Sequence, residues 1–171
     1  MLVATNNWWG TPTPAAVVNR VASFANDASL GLVDLSPYLL SGSFSAASGT
    51  IPDVLTGVIS QNTTWSTSPV LLSRNAAVLP GVTLTIRPGV VVELGTSKAL
   101  QINGALSAIG TAAQPIRFTA QAGSGGKWGS LRFVAGSVGT TFGQNGMYVS
   151  GSTLQHCRFD SGGSNTQGQH C

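Results

Sequence analysis

From residue 58 onward the apolar positions fall in short runs rich in β-branched side chains, each closed by turn residues. The runs are Val70-Leu71-Leu72, Val82-Thr83-Leu84-Thr85-Ile86, Val90-Val91-Val92-Glu93-Leu94, Leu100-Gln101-Ile102 and Leu106-Ser107-Ala108-Ile109. Ile116-Arg117-Phe118-Thr119, Leu131-Arg132-Phe133-Val134, Met147-Tyr148-Val149 and 154–159 follow. Pro80-Gly81, Pro88-Gly89, Asn103-Gly104, Gly110-Thr111, Gly125-Gly126 and Asn145-Gly146 punctuate them, which is the pattern of many short strands. Ile86, Ile102, Phe118, Phe133 and Val149 lie 16, 16, 15 and 16 residues apart, a weak internal period. An antiparallel sandwich needs primed two-residue turns between paired runs, and the Pro-Gly corners do not suit that geometry. Short strands joined by such corners predict a parallel β-solenoid instead. Each coil then bonds to the next at about 4.8 Å with alternate apolar residues stacked inside.

The first 56 residues read differently. Thr13 is placed to cap a helix, Pro14 to open it, and Val17, Val18, Val21 and Phe24 follow at helical spacing over about three turns. Asn26-Asp27 and Gly31 end it. Leu2-Val3-Ala4-Thr5 suits a single strand, and 32–40 is extended with Pro37 fixing a turn. Residues 41–50 (SGSFSAASGT) have linker composition. The expected organisation is a capping or closing element with one short helix at 1–40, a Gly/Ser-rich linker at 41–56, and coils at 57–171.

Composition narrows the function. Hydrophobic residues are 42 % of the 171, enough for a core, while charged residues are only 8 %. The eight basic residues are scattered singly, so the net charge of +3 is no nucleic-acid footprint. No run approaches the ~18 apolar residues of a membrane span. Met1-Leu2-Val3-Ala4 leads into Asn6-Asn7 without a signal peptide's basic and apolar regions, so Met1 is not expected to begin the native precursor.

The series Gly57-Val-Ile-Ser-Gln-Asn-Thr-Thr-Trp-Ser66, Pro69-Val-Leu-Leu72 and Val78-Leu-Pro-Gly-Val-Thr-Leu-Thr-Ile-Arg-Pro-Gly89 resembles the opening of right-handed parallel β-helix repeat domains in bacterial secreted proteins. Leu100-Gln-Ile-Asn-Gly-Ala-Leu106, Gly110-Thr-Ala-Ala-Gln-Pro-Ile-Arg-Phe-Thr119, Lys127-Trp-Gly-Ser-Leu-Arg-Phe133 and Leu154-Gln-His-Cys-Arg-Phe159 continue the pattern in order. Asn6-Asn-Trp-Trp-Gly10 and Val33-Asp-Leu-Ser-Pro-Tyr-Leu39 are similar to the closing coil and C-terminal cap of the same pectate-lyase-like family, so an end precedes a beginning. The resemblance implies an all-β, right-handed parallel β-helix of bacterial extracellular or cell-surface type. Pectin-cleaving members need a carboxylate cluster, and between 57 and 171 there are only Glu93 and Asp160. No catalytic residue carries over, and no cofactor or metal is implied.

The remaining motifs carry less. Asp27 and Asp34 match no EF-hand spacing. His156-Cys157 recurs as His170-Cys171, without the close pairing of a zinc site. Cys157 and Cys171 are candidates for a disulfide, against a buried thiol at Cys157 and a free one at Cys171. Thr83-Leu84-Thr85 resembles an ice-binding strand but occurs once. Trp8-Trp9 suits either sugar stacking or a plug on the core, and the plug agrees better with the helix and Tyr38 that follow.

These readings predict a structural module that assembles head-to-tail with itself, or belongs to a longer tandem β-helix. In that reading Leu2, Val3, Trp8, Trp9, Val17, Val21, Phe24 and Tyr38 form a cap over coils that precede it. The ten residues 41–50 of that linker would reach about 33 Å extended and about 18 Å relaxed. The other class is a carbohydrate-binding or polysaccharide-degrading protein whose active coils lie outside the chain.

Overall fold

The computed structural model describes residues 1–163. Apart from two short helices, Pro14–Asn19 and Asp53–Thr56, its regular structure is β. Three four-stranded sheets carry the region from residue 58. The first holds Val58–Ile59, Ala76–Val78, Leu100–Ile102 and Leu131–Phe133, and the second Thr63–Trp65, Thr83–Ile86, Ala105–Ile109 and Thr153–Gln155. The third holds Val70–Leu72, Val91–Leu94, Ile116–Ala120 and Cys157–Phe159. Every pairing within them is parallel. The chain visits the three sheets in fixed rotation, four times, so each round lies on the one before.

Alternation decides which side chains are inside. Thr83–Ile86 and Val91–Leu94 bury every second residue, and register stacks these positions into columns. Ile59, Val78, Ile102 and Phe133 form one; Trp65, Ile86, Ala108 and Leu154 form another; Val70, Val92, Phe118 and Phe159 form the third. Fully burying one such side chain contributes about 1.5–3 kcal/mol, so each added round stabilises its predecessor. Two Pro-Gly corners are type II in pattern. Gly81 and Gly89 take φ of 77° and 79°, and Val82 N–H and Val90 N–H close the turns on Leu79 and Arg87.

The spacing of sixteen does not survive. Paired residues are 19 to 22 positions apart between the first and second rounds and 22 to 26 between the second and third. They are 31 to 46 apart between the third and fourth. Ile86, Ile102 and Phe118 lie on three different sheets, and Val149 is in an antiparallel hairpin of Thr141–Phe142 with Tyr148–Ser150. The corners vary in length, and this hairpin is inserted where the preceding round has only Asn103-Gly104.

The first helix is also shorter than its apolar spacing predicts. It stops at Asn19, and Thr13 makes no side-chain cap bond. Val17 and Val18 are buried on it, whereas Val21 and Phe24 are placed by the irregular backbone after it. Residues 41–56 hold structure instead of a free linker: Tyr38–Leu39 pairs antiparallel with Ser48–Gly49, and Asp53–Thr56 is helical. Ile51 joins Val17, Val18, Leu35 and Tyr38 in a second, smaller core. Helix Asp53–Thr56 joins the two cores, with Val54 packed on the coil core and Leu55 on the N-terminal one.

Candidate functional site

The two ends of the stack differ. At the first round Ile59, Trp65 and Val70 are 1 %, 7 % and 8 % exposed, and Val54 of helix Asp53–Thr56 packs against this end of the core. At the fourth round Phe133, Leu154 and Phe159 are 43 %, 37 % and 49 % exposed, although the residues beneath them, Ile102, Ala108 and Phe118, are at 0 %. Their strands are the last of their sheets. One end of the apolar interior is closed, and the other is open among the described residues.

The closed end is fastened around a buried asparagine. Asn75 is 3 % exposed; its side-chain amide donates to the Phe24 carbonyl at 2.9 Å and its oxygen accepts from Ala99 N–H at 2.9 Å. Asn75 N–H donates to the Ala25 carbonyl at 3.0 Å. Lys98 Nζ reaches the Asn26 carbonyl at 3.2 Å, and Arg74 bonds Asn19. Gly57, at φ 70°, lies so close that a Cβ there would meet the Asn75 carbonyl at 2.3 Å. The cap is therefore seated on the first coils of its own chain, before them in sequence.

The residues expected to form the cap separate into two sets. Val17 and Tyr38 are buried, with the Tyr38 hydroxyl donating to the Pro12 carbonyl at 2.6 Å. Val21 and Trp9 are partly buried against the same core, and Phe24 is buried near Asn75. Trp9 packs on the small N-terminal core, with its Nε1 buried and without an acceptor among the described residues. Trp8 lies outward beside Gly42. Leu2 and Val3 are exposed at 63 % and 61 % and pair in parallel with Val33–Asp34.

Charge is distributed unevenly around this frame. No carboxylate occurs between Glu93 and Asp160, a stretch carrying Lys98, Arg117, Lys127, Arg132 and Arg158. Asp160 bonds Arg117 at 2.6 Å and Arg158 at 3.0 Å, and these two guanidinium groups, Arg158 first, hold its carboxyl below the usual range. Between cap and first coil lies an open cleft of about 450 Å³ lined by Asp34, Ser36, Asp53, Gln61, Asn62 and Thr63 among others. Burial raises the Asp53 carboxyl; a bond with Thr63 opposes this and the Asp34 charge adds to it. Asp27 is occupied locally, accepting from Ser29 N–H and Oγ at 2.8 Å each.

The Cys157 thiol is half-buried with Sγ 3.4 Å from the Ala108 carbonyl, and burial raises its pKa. Cys171 and His170 lie outside the described residues. Among the described residues no three His, Cys, Asp or Glu side chains gather into a metal site, and no helix is long and apolar enough to cross a membrane. The isolated Thr-Leu-Thr continues in one of its columns. Thr64, Thr85, Ser107 and Thr153 stack through four rounds, but Thr83 stacks on Ala105, so the second column breaks.

No protein-family model matches the chain, and no solved structure matches it. Protein bark beetle of Drosophila melanogaster is 29 % identical over an alignment of 126 residues that covers 66 % of this chain and 4 % of that protein. The chain thus spans about 4 % of the length of the curated relative it matches.

Proposed function

We propose that residues 58–159 wind as a right-handed parallel β-helix and serve as a structural module of an extracellular or cell-surface β-solenoid. The open fourth round carries this reading. Three parallel edges with no further strand among the described residues, and a half-exposed apolar interior, form a template on which a further coil adds by backbone pairing. That coil comes from a following stretch of a longer tandem chain, or from a second copy laid head-to-tail through the free edge of Leu2–Val3. A head-to-tail contact does not close on itself, so repetition gives a filament. The similarity to a small part of a far longer protein supports a module within a larger assembly.

Analytical ultracentrifugation of the full chain over a concentration series tests this, run beside a Leu154→Lys variant and a polysaccharide depolymerisation assay. Concentration-dependent growth that the variant suppresses is the expected result for self-assembly. A monomer at every concentration removes the self-assembly branch and leaves the tandem one. Measurable release of oligosaccharide ends overturns the structural reading.

A further inference from the structure

The cleft between cap and first coil is built by three separate pieces of the chain. Strand Val33–Asp34 brings Asp34, helix Asp53–Thr56 brings Asp53, and the corner 60–62 brings Gln61 and Asn62. Its volume of about 450 Å³ lies within the range of about 300–1,000 Å³ of small-molecule sites, which form preferentially where two packed units meet. Its floor is fixed by burial and hydrogen bonds. Ile51, Thr56 and Val58 are 3 %, 5 % and 4 % exposed. Thr56 Oγ1 donates to the Asp53 carbonyl at 3.2 Å and accepts from Val58 N–H at 3.1 Å, while Ser36 Oγ accepts from Ile51 N–H at 3.1 Å.

The lining defines the chemistry of what it can receive. Its walls are chiefly polar, unlike the apolar pockets that take drug-like molecules, so a fitting ligand is itself polar on all sides. Two carboxylates line it, and among the described residues no Lys or Arg does. Burial and the Asp34 charge both raise the Asp53 carboxyl, against a bond from Thr63. An anion would add a third like charge to this pair, which excludes acidic ligands. Asp34 Oδ1 accepts from Ser36 N–H at 3.1 Å, leaving the other carboxylate oxygen as an acceptor. Asn62 is committed in the opposite sense: its Oδ1 accepts from Thr83 N–H at 2.8 Å, leaving its NH₂ group to donate. Gln61, exposed beside it, offers a second amide. An ammonium group would serve the two carboxylates and leave both amide donors idle. Hydroxyl groups donate and accept, so a polyol uses both sets.

We propose that this cleft binds an uncharged saccharide of one or two rings, whose hydroxyls donate to Asp34 and Asp53 and accept from the Asn62 and Gln61 amides. The sugar touches cap and first coil together, so it reinforces the seam that the Asn75 bonds also close. The site lies at the closed end of the stack and does not depend on what continues the open one.

Proton–nitrogen correlation NMR of the full chain, titrated with maltose, cellobiose and diacetylchitobiose to millimolar concentrations, tests the proposal. Saturable shifts at the amides of 34–36, 51–53 and 60–63 with at least one sugar support it. Affinity should fall roughly tenfold or more in Asp53→Asn and in Gln61→Ala. Gln61 is exposed and Asp53→Asn relieves a like-charge pair, so both variants should keep at least the wild-type thermal midpoint. No saturable shift with any of the three sugars overturns the site, as does unchanged binding in either variant. Digalacturonate bound as tightly as the neutral sugars also overturns it, because the ligand class rests on excluding anions. Calcium chloride shifting these amides where the sugars do not overturns it in favour of a cation.

Discussion

Phe159 lies over Phe118 with ring centroids 5.0 Å apart and planes 7° from parallel. The lower ring is completely buried and the upper one is half-exposed, so this one stacked pair spans the change from interior to open end. Phe118→Ala opens a cavity among Val92, Ile116 and the rows around them and should cost about 3–5 kcal/mol. Phe159→Ala loses one face of contact and should cost about 1–2 kcal/mol. Urea denaturation monitored by circular dichroism checks the ranking, and equal losses would contradict an open fourth round.

Asn75→Ala leaves the Phe24 carbonyl and Ala99 N–H without their side-chain partner in a buried place. The expected loss is about 2–3 kcal/mol, with a local sign as well. Residues 1–56 should become the preferred site of limited proteolysis while the sheets stay protected. Wild-type proteolysis kinetics in the variant would show that the cap is held by other contacts.

Asp53 introduces a pH dependence of definite sign. Its carboxyl is raised in the folded state, first by burial and then by Asp34, so folding favours the protonated form. Stability from this group is complete below the ordinary carboxylate range and falls as pH rises through the raised value. Asp53→Asn should remove the decline and be more stable than wild type at pH 7, by under about 1 kcal/mol because the group is half in solvent. Thermal midpoints at pH 4 and 7 measure it; a variant less stable at both values refutes the assignment.

Cys157 should react slowly. With its thiol pushed up by burial, its thiolate fraction at pH 7.5 lies below that of an open cysteine. Peptide-resolved iodoacetamide labelling should therefore modify Cys157 several-fold more slowly than glutathione in the same tube. Labelling at the glutathione rate would show that the strand Cys157–Phe159 opens readily.

Most strands were legible because alternation and turn residues are local signals. Thr83–Ile86, Val91–Leu94 and Ile116–Ala120 bury the residues their pattern selects. The run at 154–159 divides because His156 adopts φ 49°, a left-handed conformation that nothing in its identity announces. Val58–Ile59 and Ala76–Val78 are too short or too plain to stand out, and only their neighbours in register define them. Repeat length was hidden because it varies with every corner. Residues 41–56 depart from their linker composition for a related reason: Ser48–Gly49 pairs with Tyr38–Leu39 across the loop 40–47, a contact that Ser and Gly content does not announce. The Asn75 fastening joins positions 24 and 75, and no local pattern reports a contact of that separation. The hairpin at 141–150 carried a partial signal in Asn145-Gly146, without any indication that it would stand outside the sheets.

The rotation of the chain through three sheets gives its biosynthesis a direction. Each strand from the second round onward pairs with one already emerged from the ribosome, and the Asn75 clasp is complete once Ala99 has appeared. Every later round then finds a formed template, so only the first must close against an unstructured chain and bear the nucleation cost. Order of translation and order of assembly coincide. A circular permutant starting at residue 100 would have to complete its cap last, and should refold more slowly than the natural order even where the final stabilities agree.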